Sequence, residues 1–136
     1  MAWLAATPKP PEGTKRASAK DQDKRSRLER MKADKIEPTM PPNPMPHLIS
    51  RLIEIGITEA GGMGPVPLSW REIVAWQEAT RVRLAAWEAR LMRQLSLTYI
   101  SESRRAEDET CPAPYRMEIT QRERDADEAR LRLVLG

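Results

Sequence analysis

Proline constrains this chain more than any other residue, because its ring fixes φ and it lacks the N–H that helix interiors and central strands need. Twelve of the 136 residues are proline, and five of them fall in the segment EPTMPPNPMP. That run predicts an extended, polyproline-like linker. The sequence therefore divides into a polar, Pro-rich arm and linker (1–45), a helical domain (46–109) and a Pro-broken linker with a C-terminal helix (110–136).

The N-terminal arm is too polar to build a core of its own. Over 18–35, Ser18 is placed to cap a helix, and Asp23 and Arg27 form an i,i+4 pair on it. Few apolar side chains are present to dock that helix against anything else. We therefore expect the arm to be disordered or only conditionally helical.

Apolar side chains recur at helical spacing between the linker and residue 109. They predict an all-α fold, with a small three-helix unit whose helices lie near 46–60, 69–80 and 84–105. No segment shows the alternation typical of a strand. The last two helices either stay separate or merge into one helix from about Trp70 to Arg105.

Local signals indicate where two of these helices begin. Ser69-Trp70-Arg71-Glu72 has the pattern of a capping box, with Leu68 positioned to pack on Ile73. A second such pattern, Thr120 to Glu123, predicts a short C-terminal helix. The residues assigned structural roles are Ser69, Trp70, Glu72, Ile73, Trp87, Leu91 and Leu95.

The glycine-rich segment 61–67, GGMGPVP, permits two interpretations. Glycines allow a tight reversal of the chain. A phosphate-binding loop is the alternative, but the segment has neither GxGxxG nor the Lys-Ser/Thr of a Walker motif. The tight reversal is the favoured interpretation.

The residue inventory argues against an enzyme. Cys111 is the single cysteine and His47 the single histidine, which leaves no disulfide framework and no closed zinc site. Ser96 and Tyr99 have no adjacent histidine in the sequence to activate them. The carboxylates Glu72, Glu78 and Glu88 are expected on solvated helix faces. We predict no catalytic residue, no metal, no cofactor and no membrane span.

Charge is concentrated in the arm. Residues 1–37 carry ten Lys/Arg against six Asp/Glu, whereas residues 43–103 carry six of each. Helices 69–80 and 84–105 could imitate a helix-turn-helix with Arg83, Arg90 and Arg93 towards DNA. A dedicated nucleic-acid surface requires uncompensated basic residues on an ordered face. DNA binding is therefore the less favoured hypothesis, and nucleic acid is not an expected partner.

Several motifs follow one another between Pro41 and Tyr99. They are PPNPMP before an apolar helix, GGMGPVPLSW leading into REIVAW, a turn at Thr80, the pair Trp87-Glu88, and RQLSLTYISES. In this order they resemble the tail assembly chaperone family of bacteriophages with long, non-contractile tails. That family usually has glycine after the turn threonine, where this chain has Arg81. Before its Trp-Glu pair it tends to have a turn-favouring residue, where this chain has Ala85-Ala86.

The resemblance implies a function without chemistry. Such chaperones bind the long tape-measure protein and keep its apolar helical segments soluble until the tail tube forms. Partners would be the tape-measure protein and other tail proteins, with a homo-oligomer as a further option. The protein would reside in the host cytoplasm and be absent from the mature virion. Exposed faces of Trp76, Met92 and Tyr99 are the predicted partner-binding residues. The alternative is a structural virion component, such as a head–tail connector or tail-completion protein.

Overall fold

The computed structural model describes residues 1–19, 22–115 and 121–136, and the chain forms two compact units. The central unit consists of residues 42–105 together with Ala2. The terminal unit consists of Met1, residues 3–41 and residues 106–136. Both ends of the chain thus belong to one unit, whereas the sequence suggested three consecutive segments.

Helices and one small sheet make up the regular structure of the described residues. In chain order these elements are α1 (Ala2–Ala5), α2 (Arg27–Ala33), α3 (Pro46–Ile55), β1 (Thr58–Gly61), β2 (Gly64–Pro67), α4 (Trp70–Thr80), α5 (Ala86–Arg105) and α6 (Gln121–Leu135). Strands β1 and β2 pair antiparallel. The all-α prediction was therefore wrong, because a hairpin occupies the segment between α3 and α4.

The hairpin forms despite two prolines in four residues. Pro67 lies opposite Thr58 and Pro65 opposite Ala60. Because prolines two residues apart share one side of the ladder, the intervening pairs are free to exchange N–H···O bonds. A Cβ at Gly61 would lie 2.5 Å from Val66 Cγ1 and 2.7 Å from the Gly64 carbonyl oxygen. The glycines and prolines that suggested a loop are thus compatible with a tight two-stranded turn.

The first predicted helix ends earlier than its apolar pattern suggested. Helix α3 stops at Ile55, and Gly56 follows with φ of +92°, a conformation that favours glycine. Residues 58–60, assigned to the helix from the sequence, belong to β1 instead.

Helices α4 and α5 are separate. Arg81 follows α4 with φ of +60° and ψ of +15°, the left-handed conformation that terminates many helices. The Leu84 N–H then donates to Gln77 Oε1 at 2.8 Å, and the Ala85 N–H donates to Glu88 Oε2 at 2.7 Å. These side chains satisfy backbone donors just before α5, which resolves the choice between two helices and one.

The core of the central unit is small and aliphatic. Its buried members are Leu48 and Leu52 of α3, Leu68 just before the N-cap of α4, Ile73 of α4 and Met92 of α5. Ile57, Leu84, Leu91 and Leu95 are among the partly buried side chains that pack against them. Burial of this cluster is the main apolar contribution to the stability of the unit.

Ser96 ties the hairpin to α5. It is fully buried, and its Oγ accepts the Leu68 N–H at 2.9 Å and donates to the Ile57 carbonyl oxygen at 2.6 Å. Ile57 directly precedes β1 and Leu68 directly follows β2. One hydroxyl group therefore hydrogen-bonds to the residue before β1 and to the residue after β2.

Arg27 organises the terminal unit. Its side chain is 7% exposed, and its guanidinium lies 4.7 Å from the centroid of the Trp3 ring. Nη1 donates to the carbonyl oxygens of Trp3 and Ala106, and Nη2 donates to that of Asp108 at 2.7 Å. Arg27 therefore joins segments from both ends of the chain, and the predicted surface pair with Asp23 does not form.

The described part of the N-terminal arm contacts the residues that follow α5. Lys9 pairs in a parallel bridge with Asp108, and the Arg16 guanidinium contacts the Glu109 carboxylate at 2.9 Å. The helix predicted over 18–35 is confined to α2, which begins with a complete capping box between Ser26 and Glu29. The predicted cap was therefore misplaced, and residues 20–21 lie outside the described part.

Helix α6 matches the predicted C-terminal helix. None of its residues is buried. Its apolar end is solvent-exposed, with Leu131 at 58% and Leu133, Val134 and Leu135 above 80%. The predicted cap at Thr120 lies outside the described residues.

Candidate protein-binding surface

Helix α4 of the central unit leaves two large apolar side chains half exposed. Trp70 and Val74 are each 49% exposed and lie four residues apart, so they are neighbours on one face of the helix. Ile73 and Trp76 of the same helix are buried. At about 100° per residue, the exposed pair is centred roughly 110° from the buried pair around the helix axis. One helix therefore packs into the core and presents an apolar row to solvent.

Arg93 of α5 lies beside this row. Its guanidinium carbon is 5.6 Å from the centroid of the Trp70 ring, within the range of a cation–π contact. Arg93 Nε is buried without a hydrogen-bond partner. In the residues that the structure describes, no carboxylate forms an ion pair with Arg93. We call Trp70, Val74 and Arg93 the Trp70–Arg93 surface.

Mostly polar side chains lie beside both Trp70 and Val74. One shallow depression beside Trp70 is lined by Glu59, Ala60, Ser69, Arg71 and Glu72. A second one, beside Val74, is lined by Gln77, Glu78, Arg81 and Arg83. An apolar centre with aromatic and arginine side chains inside a polar rim is typical of protein–protein interfaces.

Two of the predicted partner-binding residues are not on the surface. Met92 is fully buried in the core cluster, and Trp76 is 9% exposed. The expectation that these two side chains present exposed faces was wrong, because they point towards the core from α5 and α4. Tyr99 is half-buried on α5.

The residues expected to be structural divide between core and surface. Ile73 is buried, and Leu91 and Leu95 pack at the edge of the core. Trp87 is 53% exposed and does not belong to the core cluster. Ser69 caps α4 by accepting the Glu72 N–H at 3.2 Å, while its own hydroxyl donates to Glu59 Oε1 at 2.8 Å.

Glu88 differs from the other two carboxylates considered in the sequence. Glu72 and Glu78 are exposed, as expected. The Glu88 side chain is only 12% exposed and contacts Arg51 Nη1 at 3.3 Å and His47 Nε2 at 4.0 Å. Together with its bond to the Ala85 N–H, these contacts join α3 to the start of α5.

In the described ranges, no group of three or more His, Cys, Asp or Glu side chains could hold a metal ion. Nor does any helix in those ranges have the length and apolarity needed to cross a membrane. Comparison with protein-family models, curated proteins and solved structures found no match to this chain.

The sequence contains a signal that part of the apolar face of α4 stays exposed. The apolar residues of α4, Trp70, Ile73, Val74, Trp76 and Ala79, spread over more than half of the helix circumference. A surface helix of a small domain usually buries a narrower stripe. Such a broad arc indicates that part of it stays exposed, and only the packing shows which part.

Proposed function

We propose that this protein is a bacteriophage tail assembly chaperone that binds the tape-measure protein and keeps it soluble during tail assembly. The observation that carries the proposal is the Trp70–Arg93 surface. Tryptophan and arginine are the side chains that contribute most to binding at protein interfaces. Here both lie half-buried and together on a domain whose core is filled by other residues.

The geometry of the surface suits a helical partner. Trp70 and Val74 are one helical turn apart, about 6 Å along α4. A partner helix with apolar side chains at i and i+4 has the same spacing and would cover both. Apolar helical segments are what the resemblance assigns to the tape-measure protein, so the shape of the surface and the expected partner agree.

The backbone conformation of Arg81 also supports the resemblance. The family's pattern has glycine directly after the turn threonine, and Arg81 adopts a left-handed backbone with φ of +60°. Glycine is the residue best suited to that conformation. The chain therefore has a backbone conformation that glycine favours at this position, although its residue departs from the family's usual one. This agreement concerns the fold and supports the family relation rather than the binding surface.

Co-expression tests the proposal directly. The tape-measure protein of the same phage should be largely insoluble alone and soluble with this chain, and the two should co-elute in size-exclusion chromatography. Trp70→Ala combined with Val74→Ala removes the apolar row and should return most of the tape-measure protein to the pellet. Ile53→Ala is the matched control, since Ile53 is 53% exposed on α3 of the same unit.

Two results would contradict the proposal. One is a tape-measure protein that stays insoluble whether or not the chain is present. The other is detection of the chain in purified virions at a fixed copy number, which would favour a structural virion component such as a head–tail connector.

A further inference from the structure

Resting on the proposed function, we propose that the Trp70–Arg93 surface selects amphipathic helices that carry a carboxylate beside their apolar row. The apolar row would cover Trp70 and Val74, and the carboxylate would bind Arg93. The bound segment is thus defined by its charge, and by the side of α4 on which that charge lies, as well as by its apolar row.

Arg93 is arranged to receive a carboxylate from outside the unit. Arg51, a comparable arginine on α3, already contacts Glu88 at 3.3 Å. Arg93 forms no such ion pair with any carboxylate of the described ranges, and its Nε is buried without an acceptor. The two Nη groups are therefore the donors left for a ligand, and an end-on carboxylate matches their planar geometry.

The stacking on Trp70 restricts where that guanidinium lies. With its carbon 5.6 Å from the ring centroid, the Arg93 side chain lies next to the apolar row. A partner helix that covers Trp70 would bring its flanking residues to Arg93 as well. The ring also limits access of water to one side of the guanidinium, which strengthens an ion pair made there.

Two synthetic helices provide the probe. Both carry the same row of leucines at i, i+3, i+4 and i+7, and they differ only in having glutamate or lysine at the flanking positions. Fluorescence anisotropy of the labelled peptides is measured with the full-length protein at low and at physiological salt. We expect the glutamate peptide to bind about tenfold more tightly, as for a charge-assisted hydrogen bond, with a smaller preference at higher salt.

Substitutions at Arg93 locate the preference. Arg93→Gln should reduce it to within about twofold, and Arg93→Lys should retain part of it, because charge remains but the planar fork is lost. Arg104→Gln is the control, an exposed arginine on the same helix. Thermal unfolding of each variant shows whether the fold is intact. The Arg93→Lys variant keeps the test valid if Arg93→Gln lowers stability.

Equal binding of both peptides, a lysine preference, absence of binding by either, or a preference unchanged by Arg93→Gln would overturn the inference. Self-association of the chain through Trp70 and Val74 would also overturn it, because a second copy would then be the occupant. Solubility of the tape-measure protein is read separately. A chain that keeps it soluble without discriminating the peptides retains the proposed function and loses only this inference.

Discussion

The central and terminal units are stabilised by different kinds of interaction. In the central unit, Leu48, Ile73 and Met92 belong to an aliphatic cluster that excludes water. In the terminal unit, a buried guanidinium donates to main-chain carbonyl oxygens from residues far apart in the sequence. Apolar periodicity marks the first kind of interaction in a sequence, but nothing local marks the second kind. The following substitutions test this contrast.

Arg27→Met should destabilise the terminal unit by about 3 kcal/mol, because it leaves buried carbonyl acceptors without a donor. Burial already lowers the pKa of the Arg27 guanidinium, which reflects the loss of its hydration. Native-state hydrogen exchange should show faster exchange in residues 1–41 and little change in the core of the central unit. Arg25→Met, at an exposed arginine just before α2, should leave stability essentially unchanged. Equal effects of the two substitutions would contradict the role of Arg27.

Ser96→Ala should destabilise the central unit by about 2 kcal/mol. The substitution leaves the Leu68 N–H and the Ile57 carbonyl oxygen without their partner in a buried position. Urea unfolding followed by tryptophan fluorescence measures the change. Ser101→Ala on the same helix is the control, because that exposed hydroxyl only donates to the Thr98 carbonyl oxygen. A neutral Ser96→Ala variant would mean that apolar burial alone holds the hairpin.

Arg81→Gly should stabilise the central unit by about 0.5 to 1 kcal/mol. Relief of the left-handed strain exceeds the extra entropy that glycine adds to the unfolded chain. Arg83→Gly, at an exposed position of the same connection, should be neutral or slightly destabilising. Differential scanning calorimetry should therefore move Tm in opposite directions for the two variants, or leave the second unchanged. A lower Tm for Arg81→Gly would contradict the assigned backbone conformation.

Acidification should weaken the terminal unit slightly. The Ser26 backbone N–H and hydroxyl lower the pKa of Glu29, and the Thr110 backbone N–H and hydroxyl lower the pKa of Asp108. A folded-state pKa below the unfolded value gives stability at neutral pH that is lost as pH falls below about 5. The effect is small because both carboxylates are exposed. Protection factors of the α2 amides, which are corrected for the intrinsic slowing of exchange in acid, should fall towards pH 3, and less so in Glu29→Gln. Protection factors that rise at low pH would contradict this sign.

The sequence was sufficient to place several elements of the fold. The Pro-rich linker, the start of α4 at Ser69, and α5 and α6 follow from proline chemistry, capping and apolar spacing. The hairpin could not be predicted from such patterns, because its four-residue strands contain two prolines and show no clear alternation of apolar and polar residues. The capping box that begins at Ser26 matches the sequence pattern S-x-x-E, although the prediction placed the cap at Ser18.

Contacts over long sequence separations limited the prediction of both the fold and the site. The role of Arg27 depends on carbonyl groups about 80 residues away, which no local pattern encodes. Met92 and Trp76 were assigned to the surface because periodicity does not tell which part of a broad apolar arc is buried. Trp70 and Val74 were visible as apolar residues, but their exposure follows only from the packing of α4.

Photo-crosslinking can locate the surface that binds the tape-measure protein. A benzophenone amino acid is placed at position 74 in the exposed row or at position 53 on α3, and each full-length variant is co-expressed with the tape-measure protein and irradiated. We predict a crosslink to the tape-measure protein from position 74, several-fold stronger than from position 53. Crosslinking from position 53 alone, or from neither position in a soluble complex, would contradict binding through the Trp70–Arg93 surface.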